Sequence, residues 1–265
     1  MLVLRGSLGW GVCGVYSMDE WFDDLKNAVA FLTRVPMPAA AGAVDMQRAA
    51  RAFPLVGAAI GLVAGLFQLL LLRLGVPSLA AAALTLGVTA LITGALHEDG
   101  LADIADGFGG GGDKPAKLAI MRDSRLGTYG TLALLVSFAA RAAALAALSQ
   151  SHVLNSLVAA HALARGAVPA VAMLLPHARD DGLAVAAGRP DQRVVATAAG
   201  LGALIALICV PWGVALGAML VTVAGAALVT WLAQRQIGGH TGDVLGATEQ
   251  VCELLILLLL AAQWS

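Results

Sequence analysis

Residues 97–130 read HEDGLADIADGFGGGGDKPAKLAIMRDSRLGTYG and form a dense polar block in an otherwise apolar chain. The block, called the polar block below, has four carboxylates within nine residues, and more charges after a glycine run: Glu98, Asp99, Asp103 and Asp106, then Arg122, Asp123 and Arg125. Charge is scarce elsewhere in the sequence. We therefore expect the chemistry of the protein to occur here.

The composition around this block is that of an integral membrane protein. The 265 residues are 59% hydrophobic and 12% charged, and their mean hydropathy is +0.84. Soluble domains usually have about 25% charged residues. A net charge of −1 gives no indication of a nucleic-acid partner. The expected fold class is an all-α polytopic bundle in the lipid bilayer, formed by a single membrane domain over 1–265.

Apolar segments of about 20 residues, which are long enough to cross a bilayer, predict about seven spans. They cover 53–73, 78–96, 129–149, 153–175, 194–210, 213–234 and 244–264. The fifth and sixth spans are separated only by Pro211 and Trp212. Six or eight spans therefore remain alternatives.

The N-terminal part predicts a surface helix before the first span. Apolar positions recur at helical spacing from Met18 to Leu32, with acidic and polar side chains between them. We expect an amphipathic helix on the membrane surface over 18–35. The preceding residues 1–17 do not resemble a signal peptide, and Met18 is an alternative start.

Isolated cysteines at three positions predict packing residues and not a disulfide framework or a zinc site: Cys13, Cys209 and Cys252.

The basic residues predict the orientation of the bundle. With seven spans, most of the 16 Lys and Arg residues lie in segments on one side, including those of the polar block. Loops rich in Lys and Arg face the cytoplasm. The polar block is therefore expected on the cytoplasmic side of the membrane.

A helical conformation would place three aspartates of the polar block on one face. In a helix over 97–108, Asp99, Asp103 and Asp106 fall within about 60° of arc, because each residue advances about 100°. Two unit charges 4 Å apart repel by about 4 kcal/mol at an effective dielectric near 20. Oxygen ligands without His or Cys favour Mg²⁺. A solvated acidic face is the alternative.

The second half of the polar block predicts a phosphate site. The glycine run 109–112 is either a flexible linker or a loop that approaches a phosphate. Asp113 is expected to cap a helix over 114–125, which would place three cations near the acidic face: Lys117, Arg122 and Arg125. Metal-bound carboxylates beside several cations suit a diphosphate or phosphodiester substrate.

Polar residues near the last span suggest the other half of the site. Asp243 is either an N-cap or a catalytic, metal or substrate residue, and His240 either an interfacial hydrogen-bonding residue or a substrate ligand. Glu249 and Glu253 lie inside a span, where charges usually face the bundle interior or a wet cavity. Arg141 and Arg165 are their expected counter-charges, and these charges either hold the bundle together or line a substrate pocket. On the Arg165 face, His161 is interpreted as an interior histidine.

The motifs HEDGLADIADG and MRDSRLGTYG together resemble the signature of the cobalamin synthase family, the adenosylcobinamide-GDP ribazoletransferases. The similarity extends to FLTRVPMP, RAFPLVG and GGHTGDVLGATEQ and covers the chain from about Met18 onward. It implies a Mg²⁺-dependent inner-membrane enzyme. The implied partners are adenosylcobinamide-GDP and α-ribazole or its 5′-phosphate, with GMP as leaving group; a homo-oligomer is left open.

The resemblance also suggests roles for residues of the polar block. The matched positions assign Asp99, Asp103 and Asp106, with Glu98, to metal ions. Asp123 is then a further ligand or the base that accepts the hydroxyl proton. Arg122 and Arg125 are expected to hold the diphosphate, with Lys117 as a further substrate ligand. Asp103 and Asp243 complete the expected catalytic set, and His240, Arg165, Glu249 and Glu253 the substrate ligands.

Two other functions are alternatives for this sequence. Asp103, Asp106 and Gly107 supply part of the motif of the CDP-alcohol phosphotransferases, but the remaining motif residues are missing. A secondary transporter also contains glycine-broken helices and buried charges. Most of the acidic residues here lie in a loop instead of at the membrane midplane, which disfavours a transporter.

Overall fold

The chain folds into a bundle of α-helices. The computed structural model describes residues 17–38 and 44–264, so the expectations for residues 1–16, including Cys13, lie outside the described residues. The first six helices are α1 Met18–Leu32, α2 Met46–Ala49, α3 Phe53–Arg73, α4 Ser78–Thr93, α5 Leu96–Gly110 and α6 Lys114–Ile120. They are followed by α7 Thr128–Ala147, α8 Gln150–Leu174, α9 Leu183–Ala187, α10 Gln192–Cys209, α11 Trp212–Ile237 and α12 Gly242–Trp264.

Within the described residues, six helices are long and apolar enough to cross a membrane, namely α3 with the preceding α2, then α7, α8, α10, α11 and α12. This confirms the all-α membrane bundle. The second predicted span differs, because α4 has only 16 residues and meets α5 at an angle of 94°. The bend lies at Gly94 and Ala95, which adopt left-handed backbone angles with φ of 67° and 56°. Counting the bent pair as one span gives seven.

Helix α8 forms the centre of the bundle and packs closely against α3. A Cβ atom at Gly61 of α3 would lie 2.4 Å from the backbone oxygen of Leu157 on α8. Only glycine permits this approach, since real Cβ contacts are not shorter than 3.0 Å. The apolar core around α8 includes Leu145, Leu157 and Leu260, all fully buried.

The predicted surface helix is present as α1 and is joined to the bundle by an ion pair. Ser17 caps it in a reciprocal arrangement with Glu20. Asp24, expected on the polar surface, is instead fully buried and lies 2.7 Å from Nε of Arg51. The Arg51 guanidinium also lies 4.0 Å above the Trp21 ring. The placement of Asp24 on the exposed face is therefore wrong, because a charge pair docks α1 against the start of the first span.

The two described cysteines support the packing interpretation. Cys252 is fully buried, Cys209 is partly exposed, and both are free thiols. No disulfide joins them within the described part of the chain.

Candidate active site

Helix α5 exposes aspartates and buries apolar side chains. The predicted helix over 97–108 is confirmed, since α5 spans Leu96–Gly110. Ile104 is buried in an apolar cluster together with residues of α8, α11 and α12. Asp99 is exposed and Asp103 half-buried. Both carboxylates therefore remain accessible to a ligand.

Helix α12 brings a third aspartate to the same place. A Cβ at Gly100 would lie 2.7 Å from the backbone oxygen of Asp243, so the two helices touch here. Gly246 likewise allows α12 to approach the backbone of His97. Asp103 interacts electrostatically with both Asp99 and Asp243. These three carboxylates, called the aspartate cluster below, repel one another.

The start of α12 is capped by Thr241 and not by Asp243. The Thr241 hydroxyl accepts from the backbone N–H of Val244 at 3.4 Å and donates to Asp243 Oδ2 at 3.0 Å. The alternative that Asp243 is the N-cap is therefore wrong. Its carboxylate instead faces Arg179, whose Nη2 atom lies 3.8 Å away.

Arg179 was missed as a site residue by the sequence reasoning, which used it only to orient the bundle. It lies in the polar segment HARDDG after α8, residues 177–182. Such a short charged segment between apolar helices is a signal that could have identified it. Arg179 interacts electrostatically with both Asp103 and Asp243.

The carboxylate of Asp106 binds the start of α7. Its two oxygens accept hydrogen bonds from the backbone N–H groups of Gly127, at 2.7 Å, and Gly130, at 2.8 Å. A carboxylate is favourable at a helix N-terminus. Its predicted metal role stays a prediction, but both oxygens already have partners.

The cations of the polar block lie further apart than expected. Asp113 does cap α6, because its Oδ1 atom accepts from the N–H of Ala116 at 2.9 Å. However, α6 ends at Ile120, so the predicted helix over 114–125 is wrong in its second half. Lys117 donates to Gln236 of α11 at 2.5 Å. The glycine run is partly helical as well, since α5 continues to Gly110.

The residues after α6 pair with neighbours on exposed loops. Arg122 forms an ion pair with Asp181, and Arg125 binds Asp123 through its Nη2 atom at 2.5 Å. The hydrogen bonds from Arg125 lower the pKa of Asp123 to about 2. A carboxyl group with so low a pKa is a weak proton acceptor. The assignment of Asp123 as base stays a prediction without support from this geometry.

Charged side chains inside the bundle form a network. Arg165 Nη1 lies 2.6 Å from Glu249 Oε1, and Arg141 Nη1 lies 3.0 Å from Glu253 Oε1. This confirms the expected counter-charges. His161 is buried as expected, with Nδ1 at 2.9 Å from Glu253 Oε2. We call these five residues the ionic network.

Glu98 extends the ionic network instead of joining the aspartate cluster. Its Oε1 atom lies 3.3 Å from Nε2 of Gln250 and 3.8 Å from Nη2 of Arg141. Gln250 also donates to Glu249 at 3.0 Å. The metal role of Glu98 stays a prediction.

His240 lies in the connection between α11 and α12 and is 1% exposed. Its backbone N–H donates to Pro176 O at 2.8 Å, and its carbonyl accepts from Ala178 N–H at 2.9 Å. Its ring centroid lies 4.7 Å from that of His177. Burial, with a smaller contribution from His177, lowers the pKa of His240 to about 4. Its substrate role stays a prediction.

A cavity of about 160 Å³ lies beside the aspartate cluster. Its walls come from α1, α2, the first residues of α3 and α5, α8, α9 and the first turn of α12. Asp99, Asp243 and Arg179 line one part, and apolar side chains such as Phe31 and Phe53 line much of the rest. The cavity therefore combines an apolar interior with charged groups.

The aspartate cluster has the donors that a hard divalent cation requires. Three carboxylates lie together, with Arg179 near Asp103 and Asp243. Mg²⁺ commonly binds one or two carboxylates together with substrate phosphates. Another group of possible ligands among the described residues, His161, Glu249 and Glu253, has ligand atoms within 4.8 Å of one another. The arginines of the ionic network already neutralise those two glutamates. The aspartate cluster is the better fit.

Comparisons with known proteins identify the family. The sequence model of the family described as cobalamin-5-phosphate synthase matches residues 24–261. An adenosylcobinamide-GDP ribazoletransferase from Bradyrhizobium diazoefficiens is 50% identical over 245 residues, which are 90% of this chain and 93% of that protein. Proteins of the same name from Rhizobium etli and Sinorhizobium medicae are 46% and 43% identical, over 90% and 91% of this chain and 96% and 97% of their own lengths.

Among solved structures, none matches the chain. The family match covers α3 to α11 completely and most of α12, including every residue of the aspartate cluster and of the ionic network. On these similarities, the chain belongs to the cobalamin-5-phosphate synthase family.

Proposed function

We propose that the aspartate cluster is the catalytic centre at which this chain transfers ribazole. The chain is an adenosylcobinamide-GDP ribazoletransferase, and its relatives of that name match over nearly their whole length. The CDP-alcohol phosphotransferase and transporter alternatives are thereby set aside. In the reaction, a ribose hydroxyl of α-ribazole or its 5′-phosphate forms a bond to the phosphorus attached to cobinamide. The bond from that phosphorus to GMP breaks, and the hydroxyl proton passes to a base.

The observation that supports this placement is the convergence of Asp99 and Asp103 from α5 with Asp243 from α12. These residues are distant in sequence, and the contact of Gly100 with the Asp243 backbone brings them together. Mutual repulsion of three carboxylates is unfavourable unless a ligand compensates it. A cation with a diphosphate is such a ligand.

We assign Mg²⁺ binding to Asp99, Asp103 and Asp243. Mg²⁺ would neutralise the phosphate oxygens and so favour attack by a hydroxyl. Arg179 is placed to hold the diphosphate, because it faces Asp243 and can bind phosphate oxygens in a bidentate manner. Phosphoryl transfer requires mainly such positioning and charge stabilisation.

We infer that the centre faces the cytoplasm. In support, Arg122 in the loop before α7 pairs with Asp181 in the segment after α8, so two of the basic segments meet. An excess of Lys and Arg marks the cytoplasmic side.

The orientation can be tested at Ser124, which is exposed in the loop before α7. A Ser124→Cys variant should react with a membrane-impermeant maleimide in inverted vesicles and not in right-side-out ones.

Turnover tests the function directly. Purified protein with adenosylcobinamide-GDP and α-ribazole 5′-phosphate should release GMP and form the joined product. Chelation of Mg²⁺ should stop the release, and added Mg²⁺ should restore it. Folded protein that releases no GMP with either form of ribazole would contradict the proposal, and release that persists under chelation would contradict the metal assignment.

A further inference from the structure

We propose that the cavity beside the aspartate cluster binds the aromatic base of the ribazole substrate, an inference that rests on the proposed function. The cavity is called the base cavity below. It extends from Asp99 and Asp243 to Phe31 and Phe53, whose rings stack at 7° with centroids 5.9 Å apart. A nucleoside whose base lies in the apolar part would have its ribose toward the carboxylates. That placement brings the attacking hydroxyl to the catalytic centre.

The volume of the base cavity selects among the groups of the two substrates. It measures about 160 Å³, and an apolar cavity of about 150 Å³ is known to hold one benzene molecule. A corrin macrocycle is several times larger than a benzene ring and cannot enter. A two-ring aromatic base is much closer to benzene in size. The corrinoid must therefore remain outside, with only its diphosphate near the aspartates.

The polarity of the base cavity favours the dimethylbenzimidazole of ribazole over the guanine of the GDP group. Guanine, the base of the GDP group, has several hydrogen-bond donors and acceptors that would need partners when buried. The dimethylbenzimidazole of ribazole has one free ring nitrogen, which only accepts. Apolar side chains dominate the interior, including Leu32, Val168 and Leu245. The apolar base is thus the better occupant.

One wall residue of the base cavity is a buried arginine. Arg165 lines it and is 2% exposed. Its Nη1 atom pairs with Glu249, while its Nε atom has no hydrogen-bond partner within the described residues. Buried donors normally have partners. The free ring nitrogen of the base supplies the missing acceptor.

The short helix α9 forms the wall that can be altered with least risk to the bundle. Ala184 is 6% exposed and lines the base cavity, as does Ala187. Neither belongs to a predicted span. A matched control is Ala133 of α7, which lines a separate apolar groove between α5, α7 and α12.

The test measures the choice between two ribazoles, one with both ring methyl groups and one with an unsubstituted benzimidazole. Ala184→Leu should raise the KM for the methylated nucleoside about tenfold, because one methylene in an apolar pocket changes discrimination by about 10- to 200-fold. The KM for the unsubstituted nucleoside should rise less. The KM for adenosylcobinamide-GDP should not change, and Ala133→Leu should behave as wild type.

Two further measurements distinguish a failure of the base-cavity proposal from a failure of the proposed function. Ala187→Leu repeats the test if Ala184→Leu melts at a lower temperature than wild type. Binding of α-ribazole to wild-type protein is also followed by benzimidazole fluorescence, without corrinoid. Wild-type turnover with unchanged preference in both variants would overturn the base cavity alone, as would a raised KM for adenosylcobinamide-GDP. Wild-type protein that neither binds ribazole nor turns over would overturn the proposed function.

Discussion

Asp106 accepts a hydrogen bond from the backbone N–H of Gly130, 24 residues further along the chain, at 2.8 Å. Its other oxygen accepts from Gly127 at 2.7 Å. One carboxylate thus joins the end of the acidic helix α5 to the start of α7. Asp103 and Asp106 lie one helical turn apart, yet the structure gives them different surroundings.

Replacement of Asp106 should reduce stability. In Asp106→Asn the amide offers one acceptor oxygen, so one of the two backbone N–H groups loses its partner. An unsatisfied buried donor costs about 1–3 kcal/mol, and the unfolding temperature should fall accordingly. Thermal denaturation in detergent measures it. A variant that unfolds like wild type but no longer binds Mg²⁺ would contradict this structural role and support Asp106 as a metal ligand.

The ionic network should show strong coupling between Arg141 and Glu253. Their charged atoms lie 3.0 Å apart, at 3% and 1% exposure. Arg141→Met leaves the buried Glu253 carboxylate with only His161 beside it among its two close partners and should cost about 3–5 kcal/mol. The double variant with Glu253→Met should recover part of that loss, as a double-mutant cycle measures. Strictly additive losses would contradict a direct pair.

The contact between α3 and α8 should tolerate no side chain at Gly61. In Gly61→Ala the new Cβ would lie 2.4 Å from Leu157 O, which is backbone and cannot rotate away. Overpacking of this kind costs about 1–3 kcal/mol. Gly87→Ala on α4 is the control, because a Cβ there meets nothing within 4 Å. Equal unfolding temperatures for both variants would contradict this packing.

His240 should make stability depend on pH. Burial lowers its pKa to about 4 from an ordinary value of 6.5, and the groups facing it are His177 and Arg189. Between these values the unfolded chain binds a proton that the folded chain does not, so stability rises with pH and is complete above 6.5. Unfolding temperatures at pH 5 and 7.5 should differ less in His240→Gln than in wild type. An equal difference in the two proteins would contradict this account.

The sequence was sufficient to predict the spans and the acidic helix, because both depend on local patterns. Apolar length predicted six of the helices, and helical phase placed Asp99 and Asp103 on one accessible side. Capping chemistry predicted the role of Asp113. The scarcity of charge in apolar segments also predicted Arg141 and Arg165 as counter-charges of Glu249 and Glu253, although not which arginine pairs with which glutamate.

The parts that the sequence did not predict depend on tertiary contacts. Nothing local distinguishes Asp106, which binds the start of α7, from Asp103, which does not. The burial of Asp24 follows from its partner Arg51 on another segment. The bend between α4 and α5 includes Ala95, a residue type that rarely adopts positive φ. The meeting of Arg179 with Asp243 likewise requires the folded bundle.

Turnover by Asp103→Asn tests the central claim most directly, measured as GMP release beside wild type and Asp106→Asn. The neutral amide keeps the size of the side chain but removes a charge that Mg²⁺ requires. We expect Asp103→Asn to insert into the membrane and to unfold at the wild-type temperature, with turnover reduced at least about 100-fold. Asp106→Asn should retain turnover below its lowered unfolding temperature. Wild-type turnover in Asp103→Asn would contradict the assignment of the aspartate cluster as the catalytic centre.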